Sequence, residues 1–212
     1  AGPAVDIDYT IGSDFRNPEY LLGERRHIFA AGAGATVSFD TRDNLTAPSR
    51  GLLVRNRLLF YPGCFVTTRR FFWSESLVVD WYRRLWRGAV LACDFYMKLN
   101  SGATPWTMRE MAAADDSRLR GYYMGSYIDN DQITLQAELR QHLYDRLGVA
   151  AWLGGGTIFN RDGAGGRKAE RVWLPNGGVG IRVRFRKNIN GRVDVGFGKR
   201  GAAVVIAVGE AF

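Results

Sequence analysis

Cysteine, histidine and long apolar runs are all scarce in this sequence of 212 residues. The two cysteines, Cys64 and Cys93, are too few for a disulfide framework and lack metal-ligand spacing, so we expect free thiols and no metal site. The two histidines, His27 and His142, leave little material for general base catalysis, and we expect a structural role for His142, which follows Glu138 by four positions. No apolar run approaches the roughly 18 residues that a membrane-spanning helix needs, so no stretch of this sequence is predicted to be one.

Glycine, aromatic residues and positive charge are abundant instead. The chain has 26 glycines, 13% aromatic residues and a formal net charge of +8. The charge fits a solvated basic surface or interior, and the more specific alternative is that it attracts acidic lipid or nucleic acid. The mean hydropathy of −0.18 resembles that of a soluble protein. Hydropathy alone is misleading here, because a membrane barrel hides its apolar signal by alternating lipid-facing and interior-facing side chains.

The dominant pattern is a strict alternation of apolar and polar residues, the period of a β-strand. Residues 135–144 and 181–186 show it most clearly, the latter as Ile, Val and Phe against three arginines. Residues 91–99 and 192–197 repeat it, and turn residues separate the segments. The pattern predicts about ten strands, near residues 3–12, 28–42, 51–62, 69–85, 88–101, 131–145, 147–159, 177–188, 190–199 and 201–212.

Alternation alone fits two architectures, since a soluble barrel buries the apolar ribbon and a membrane barrel buries the polar one. Three features favour the membrane. Aromatic residues cluster at strand ends, as in Phe71-Phe72-Trp73. Connections are unequal, with tight turns such as Pro62-Gly63 and long segments at 102–130 and 160–176. The last strand also runs to Phe212. We therefore predict an all-β, antiparallel, up-and-down transmembrane β-barrel, with about 8–10 strands in one domain spanning residues 1–212.

Several motifs, in order along the chain, resemble the BamA/TamA (bacterial surface antigen) superfamily, and their spacing is most similar to its Bacteroidota-type members. The resemblance runs from about residue 28 to the end of the chain and covers the barrel part of the family. The motifs are the strand signature with Asp40, Arg42 and Asp43, the loop motif Arg120-Gly121-Tyr122, the acidic-x-Arg pair Glu138 and Arg140, the segment Gly178–Arg182, Asp194 in Arg192-Val193-Asp194, and the C-terminal strand signal with Gly209 and Phe212.

The resemblance implies a bacterial outer-membrane barrel that inserts or translocates client proteins, or serves as a scaffold subunit. Its partners would be outer-membrane lipid, client outer-membrane proteins and other subunits, with no nucleic acid, no cofactor and no enzymatic activity. The family builds sixteen strands behind POTRA domains, and this sequence has about ten strands and no POTRA segment. We therefore expect either a shortened barrel or a part of a sixteen-stranded one, closed within the chain or with a partner. An outer-membrane enzyme and a soluble ligand-binding β-barrel are the alternatives.

The resemblance also implies residue roles. Arg120 would fold into the barrel interior and anchor the loop at 102–130 by pairing with acidic groups, for which Glu138 and Asp194 are the candidates; the alternative is an exposed turn. Asp40, Arg42 and Asp43 fit local turn and ion-pair chemistry. Arg182, Arg184 and Arg186 fit an interior wall balanced by Asp80, Asp94 and Asp194, with a basic substrate track as the alternative. Gly154 to Gly156 indicate close approach or a bend, because no helix follows that could make them a phosphate loop.

Overall fold

The computed structural model describes residues 2–12, 28–101, 103–161, 171–186 and 189–212. Across these residues the chain is all-β, and ten strands form one antiparallel sheet in which neighbouring strands follow one another along the chain. The predicted all-β antiparallel fold is thereby confirmed. The strands are β1 (Gly2–Gly12), β2 (Ile28–Asp40), β3 (Gly51–Tyr61), β4 (Phe72–Trp86), β5 (Ala89–Asn100), β8 (Asp131–Tyr144), β9 (Leu147–Phe159), β10 (Val172–Arg186), β11 (Ile189–Gly198) and β12 (Gly201–Val208).

The connection between β5 and β8 contains the remaining regular structure. Two short strands, β6 (Glu110–Met111) and β7 (Ile128–Asp129), pair with each other inside it. A 3-10 helix, Trp106–Met108, precedes them, and a second one, Gly63–Phe65, lies between β3 and β4. Among the described residues, no helix has the length and apolar character needed to cross a bilayer.

Three strand boundaries differ from the predicted ones by three residues or more. β10 begins at Val172 rather than 177, because Trp173 and Pro175 pair with Thr157 and Gly155 of β9. Pro175 fits there because the pairing of β10 with β11 starts one residue later, at Asn176, so no ladder partner on that side is lost. β4 begins at Phe72 rather than 69, and a ten-residue connection, 62–71, stands where a tight Pro62-Gly63 turn was predicted.

The third difference is the end of the chain. β12 ends at Val208 rather than running to Phe212. Gly209 has a φ of +98°, a conformation that breaks the extended run and that glycine adopts without a steric cost. The residues after it turn away from the strand direction.

The sheet exposes its apolar ribbon and buries its polar one. On the outward face, Leu153 and Ile206 are each 76% exposed, whereas Glu138 and Asp194 on the inward face are 0% exposed. The same split holds along β8, β9, β10, β11 and β12, where Leu135, Leu139, Val179, Val193 and Val204 point outward. One polar pair departs from it on the outward face of β3 and β4, where Asn56 donates a hydrogen bond of 3.0 Å to Glu75.

The two ends of the sheet differ in their connections. At one end, here the short-turn end, lie the connections 41–50, 87–88 and 145–146 and the one from β10 to β11. At the other, the long-loop end, lie 62–71, 101–130 and 199–200. The inward face of β2, β3 and β4 at the long-loop end carries an apolar cluster of Ala30, Leu59, Tyr61, Val66 and Phe72.

Candidate functional site

The connection 101–130 folds over the inward face of the sheet, and its base is fixed by polar contacts to β5. The carboxylate of Glu110 in β6 lies 2.8 Å from the Lys98 ammonium and accepts a hydrogen bond of 2.9 Å from the Tyr96 hydroxyl. At the far end of the connection, Asp131 accepts a hydrogen bond of 2.8 Å from the backbone N–H of Asn100. Both ends of the loop are therefore tied to the same strand.

The tip of this loop is a tight turn with Arg120 and Gly121 at its centre. The N–H of Tyr122 donates to the carbonyl of Leu119 at 2.9 Å, which closes the turn. Leu119 has a φ of +51°, a left-handed conformation that costs a non-glycine residue energy. This backbone shape lets Arg118 and Arg120, only two residues apart, reach acidic groups on different strands.

Arg118 binds the wall formed by β5. Its Nη2 lies 2.6 Å from Asp94 Oδ2, and its guanidinium carbon is 4.5 Å from the centre of the Tyr96 ring. The same side chain contacts Asp115 at 3.1 Å. Partial burial acts to raise the pKa of Asp115, but the Arg118 charge and hydrogen bonds from Ser117 outweigh it and hold that pKa below its usual value.

Arg120 reaches the opposite wall and is fully buried. Its Nη2 lies 2.6 Å from Glu138 Oε2 on β8, and its Nη1 lies 2.7 Å from Asp194 Oδ2 on β11. The structure thus brings Arg120 together with both of its predicted partners. The guanidinium also stacks on Trp152 of β9, with 3.7 Å between its carbon and the ring centre, and Trp152 donates to Asn176 at 3.1 Å.

Further charged groups surround this contact and form what we call the central cluster. Asp194 also accepts hydrogen bonds from Arg182 at 2.5 Å and from Arg192 at 2.8 Å. Glu138 also accepts from Arg140 at 2.7 Å, and Glu210 from Arg182 at 2.9 Å. The central cluster comprises Arg120, Arg140, Arg182, Arg192, Glu138, Asp194 and Glu210. The central cluster thus contains four guanidinium groups and three carboxylates, and most of these groups are buried.

Glycine makes room for the loop tip on the facing strands. A Cβ at Gly121 would lie 2.3 Å from the carbonyl carbon of Phe197, and one at Gly196 would lie 2.4 Å from the carbonyl oxygen of Arg120. A Cβ at Gly198 would lie 2.6 Å from the carbonyl oxygen of Gly121. The backbone of the loop therefore packs directly on the backbone of β11, which no larger residue at these positions allows.

Tyr122 completes the predicted loop motif. Its hydroxyl donates to the carbonyl of Pro175 at 2.8 Å and accepts from the N–H of Lys199 at 3.0 Å. Its ring belongs to an apolar cluster with Ala112, Leu119, Ile158 and Leu174. Each residue of Arg120-Gly121-Tyr122 thus has its own contact with the wall.

The residues after β12 fold back to the short-turn end of the interior. The N–H of Glu210 donates to the carbonyl of Thr46 at 3.3 Å, and Arg140 Nη2 donates to the main-chain oxygen of Phe212 at 2.9 Å. The Phe212 ring centre lies 5.3 Å from the Arg140 guanidinium carbon. Gly209 and Phe212, predicted as a C-terminal strand signal, therefore lie outside β12, and the earlier prediction of a strand through Phe212 is wrong.

The residues of the predicted strand signature, Asp40, Arg42 and Asp43, contact one another or residues close to them in the sequence. Arg42 makes a two-pronged ion pair with Asp40, with Nε to Oδ1 at 3.0 Å and Nη2 to Oδ2 at 2.8 Å. Asp43 accepts hydrogen bonds from the N–H of Ser49 at 2.8 Å and of Arg50 at 3.3 Å. These contacts order the connection 41–50 and do not reach Arg120.

Other predicted residues lie apart from the loop tip. His142 is half-buried at the short-turn end, Arg184 is exposed there, and the Arg186 side chain lies outside the described part. Cys64 and Cys93 are free thiols. Asp80 is the cross-strand partner of Asp94 and is buried with it. Gly154 and Gly156 lie against Gln136 and Thr134, the close approach that the sequence indicated.

Sequence reasoning did not assign Arg118, Trp152, Arg192 or Glu210 to the site. A signal for three of them was present, because alternation places Trp152 and Arg192 on the inward ribbons and Arg118 stands two residues before the loop motif. Glu210 carried none, because it was assigned to a strand rather than to a returning segment.

Ion pairs hold the loop tip against the inward face of the sheet, because the inward guanidinium groups of the central cluster pair with carboxylates. No group of His, Cys, Asp and Glu within the described ranges has the geometry to hold a metal ion. No protein-family model and no curated protein matches this sequence.

Proposed function

We propose that this chain is the transmembrane β-barrel domain of a bacterial outer-membrane protein. The observation that carries the proposal is the reversal of the two faces, with the apolar ribbon exposed and the charged ribbon buried. A soluble barrel does the opposite, because it must keep apolar surface from water. Full removal of a Leu, Val or Ile side chain from water contributes about 1.5–3 kcal/mol, so an outward ribbon of such residues favours lipid strongly.

Closure of the sheet belongs to the same proposal. β1 and β12 stand at the two ends of the strand order. Each unpaired backbone group in hydrocarbon costs several kcal/mol, so we propose that these edges are satisfied, either by each other or by strands of a partner. The hydrogen bond from Glu210 to Thr46 supports a curled sheet, because it joins the segment after β12 to the connection between β2 and β3.

For its role, we propose insertion or translocation of client outer-membrane proteins, or a scaffold for a subunit that does so, and no enzymatic chemistry. The motifs that resemble the BamA/TamA superfamily support this, and so does the loop tip held by Arg120 against Glu138 and Asp194. An edge strand is a natural template for a client strand. β12 fits that use because it is only eight residues long and its outward side chains are apolar.

The first experiment tests the membrane barrel. The chain is refolded in non-ionic detergent and run on cold SDS gels, with and without heating. We expect a faster-migrating unheated band, as a closed barrel resists SDS. A chain that folds in buffer without detergent, or that shows no heat-dependent shift with or without a partner chain, would contradict the proposal.

The second experiment tests the role. Liposomes containing the folded chain are mixed with a urea-unfolded eight-stranded outer-membrane client, and client folding is followed by protease resistance. We expect faster folding than in protein-free liposomes or in liposomes with an unrelated closed barrel. Equal rates, with insertion of the chain verified, would eliminate the insertion role while leaving the membrane barrel standing.

A further inference from the structure

A cavity of about 340 Å³ lies at the short-turn end, between the central cluster and the connection 41–50. This volume is at the lower end of the roughly 300–1,000 Å³ usual for small-molecule sites, so it accommodates a ligand larger than one ion. Its walls come from β4 and β5 and from β8 to β11. The lining includes Pro48 and Ser49, Arg84 of β4, His142 of β8 and Arg184 of β10.

The charge of this cavity is strongly one-sided. Among the residues that the structure describes, five arginines line it against one acidic residue, Glu210. The arginines are Arg84, Arg87, Arg140, Arg182 and Arg184. Arg182 is engaged by carboxylates of the central cluster. Arg84 donates only to the Ser49 hydroxyl, at 2.7 Å, and in the described residues no ion pair is found for Arg84, Arg87 or Arg184.

A second observation concerns one nitrogen of the Arg140 guanidinium group. Arg140 is nine-tenths buried, and its Nη1 has no hydrogen-bond partner among the described residues. Its Nε and Nη2 are used by Glu138 and Phe212. A buried guanidinium N–H without an acceptor is destabilising, so an acceptor at this point is strongly favoured.

We propose that this cavity binds an oxyanion of the phosphate class, held by Arg84, Arg140 and Arg184. Guanidinium groups match phosphate oxygens in pairs of parallel hydrogen bonds, which a compact ammonium group does not. The bound anion accepts from Nη1 of Arg140 and offsets the positive charge of the arginines that line the cavity. The phosphate has two sources, a free inorganic ion or the phosphodiester of an anionic lipid headgroup.

The test compares two pairs of substitutions with equal charge change. Arg84→Gln with Arg184→Gln removes two cavity cations. Arg83→Gln with Arg146→Gln removes two exposed arginines near the same end that do not line the cavity. All three proteins are refolded in maltoside detergent at constant ionic strength. Binding of inorganic pyrophosphate and of short-chain phosphatidylglycerol is measured by calorimetry, after folding has been checked by heat-dependent gel mobility.

We expect the unmodified chain to bind at least one probe, and the cavity pair to weaken that binding by about tenfold or more, since two charge-assisted contacts are lost. The control pair should change it by less than about twofold. Preference for pyrophosphate identifies a free anion, and preference for phosphatidylglycerol identifies a headgroup. No binding of either probe, or equal loss in both pairs, would overturn the site. If the cavity pair fails to fold, Arg184→Gln alone is compared with Arg146→Gln.

Discussion

Two groups of strands cover the inward face of this sheet with different kinds of side chain, and these groups are called here its two sides. At the long-loop end of β2, β3 and β4, Tyr61 and Phe72 stack with 4.3 Å between their ring centres and pack on Leu59. Along β8 to β11, arginines and carboxylates fill the same kind of space around Arg120. Apolar packing is non-directional and tolerates other side chains of similar volume. Buried charges must be matched group by group, so the second side accepts only one position of the loop.

The largest effect should come from breaking the charged side at its centre. Arg120→Ala removes the two buried ion pairs that join the loop to Glu138 and Asp194, and we expect a loss of about 3–5 kcal/mol of stability. Limited proteolysis should cut within residues 103–130 much faster than in the unmodified chain. Arg83→Ala, on an exposed side chain, is the control. Unchanged cleavage would show that Arg120 does not anchor the loop.

Breaking the apolar side should cost nearly as much but release a different segment. Phe72→Ala opens a cavity in the cluster with Tyr61, and we expect a loss of about 3–4 kcal/mol. Ala103 and Met108 pack on this cluster, so hydrogen exchange should rise at the base of the loop rather than at residues 118–122. Equal exchange at the loop tip would mean that the two sides are not separate units.

The fit of the loop tip against β11 can be tested with a methyl group. Gly196→Ala places a Cβ 2.4 Å from the carbonyl oxygen of Arg120, and we expect a loss of about 1–3 kcal/mol. Gly201→Ala is the matched control on β12, because no atom lies within 4 Å of its added Cβ. Thermal unfolding of both variants measures the difference. Similar melting temperatures would contradict the direct contact of the two backbones.

The smallest effect concerns pH. The lowered pKa of Asp115 means that its ionised form stabilises the folded loop. That contribution is full above its usual pKa of about 4 and is lost as the pH falls through the lowered value. Asp115→Asn should therefore raise hydrogen exchange of residues 115–118 at pH 7, and the difference from the unmodified chain should shrink below about pH 4. A difference that is the same at both pH values would exclude the carboxylate as its cause.

Much of the strand pattern could be predicted, because the alternation of apolar and polar residues is visible within each segment of the sequence. The bounds of β5, β8 and β9 lie within one residue of those predicted. The errors fell where local pattern is weak. Pro175 and the glycines at 177 and 178 hid the start of β10, and the apolar residues Ala211 and Phe212 after Gly209 hid the end of β12. The loop motif led to Arg120 and its two partners only through the resemblance, since no spacing rule joins residue 120 to residue 194.

The sequence by itself determined which residues share a face, because side chains alternate along any extended strand. It did not determine which face is inside, since both kinds of barrel have the same alternation. That choice was made by the curvature of the sheet, which brings β8, β10 and β11 around one loop and buries their charged ribbons together. Arg120 and Asp194 are 74 residues apart along the chain, and only the register of the intervening strands sets their 2.7 Å contact.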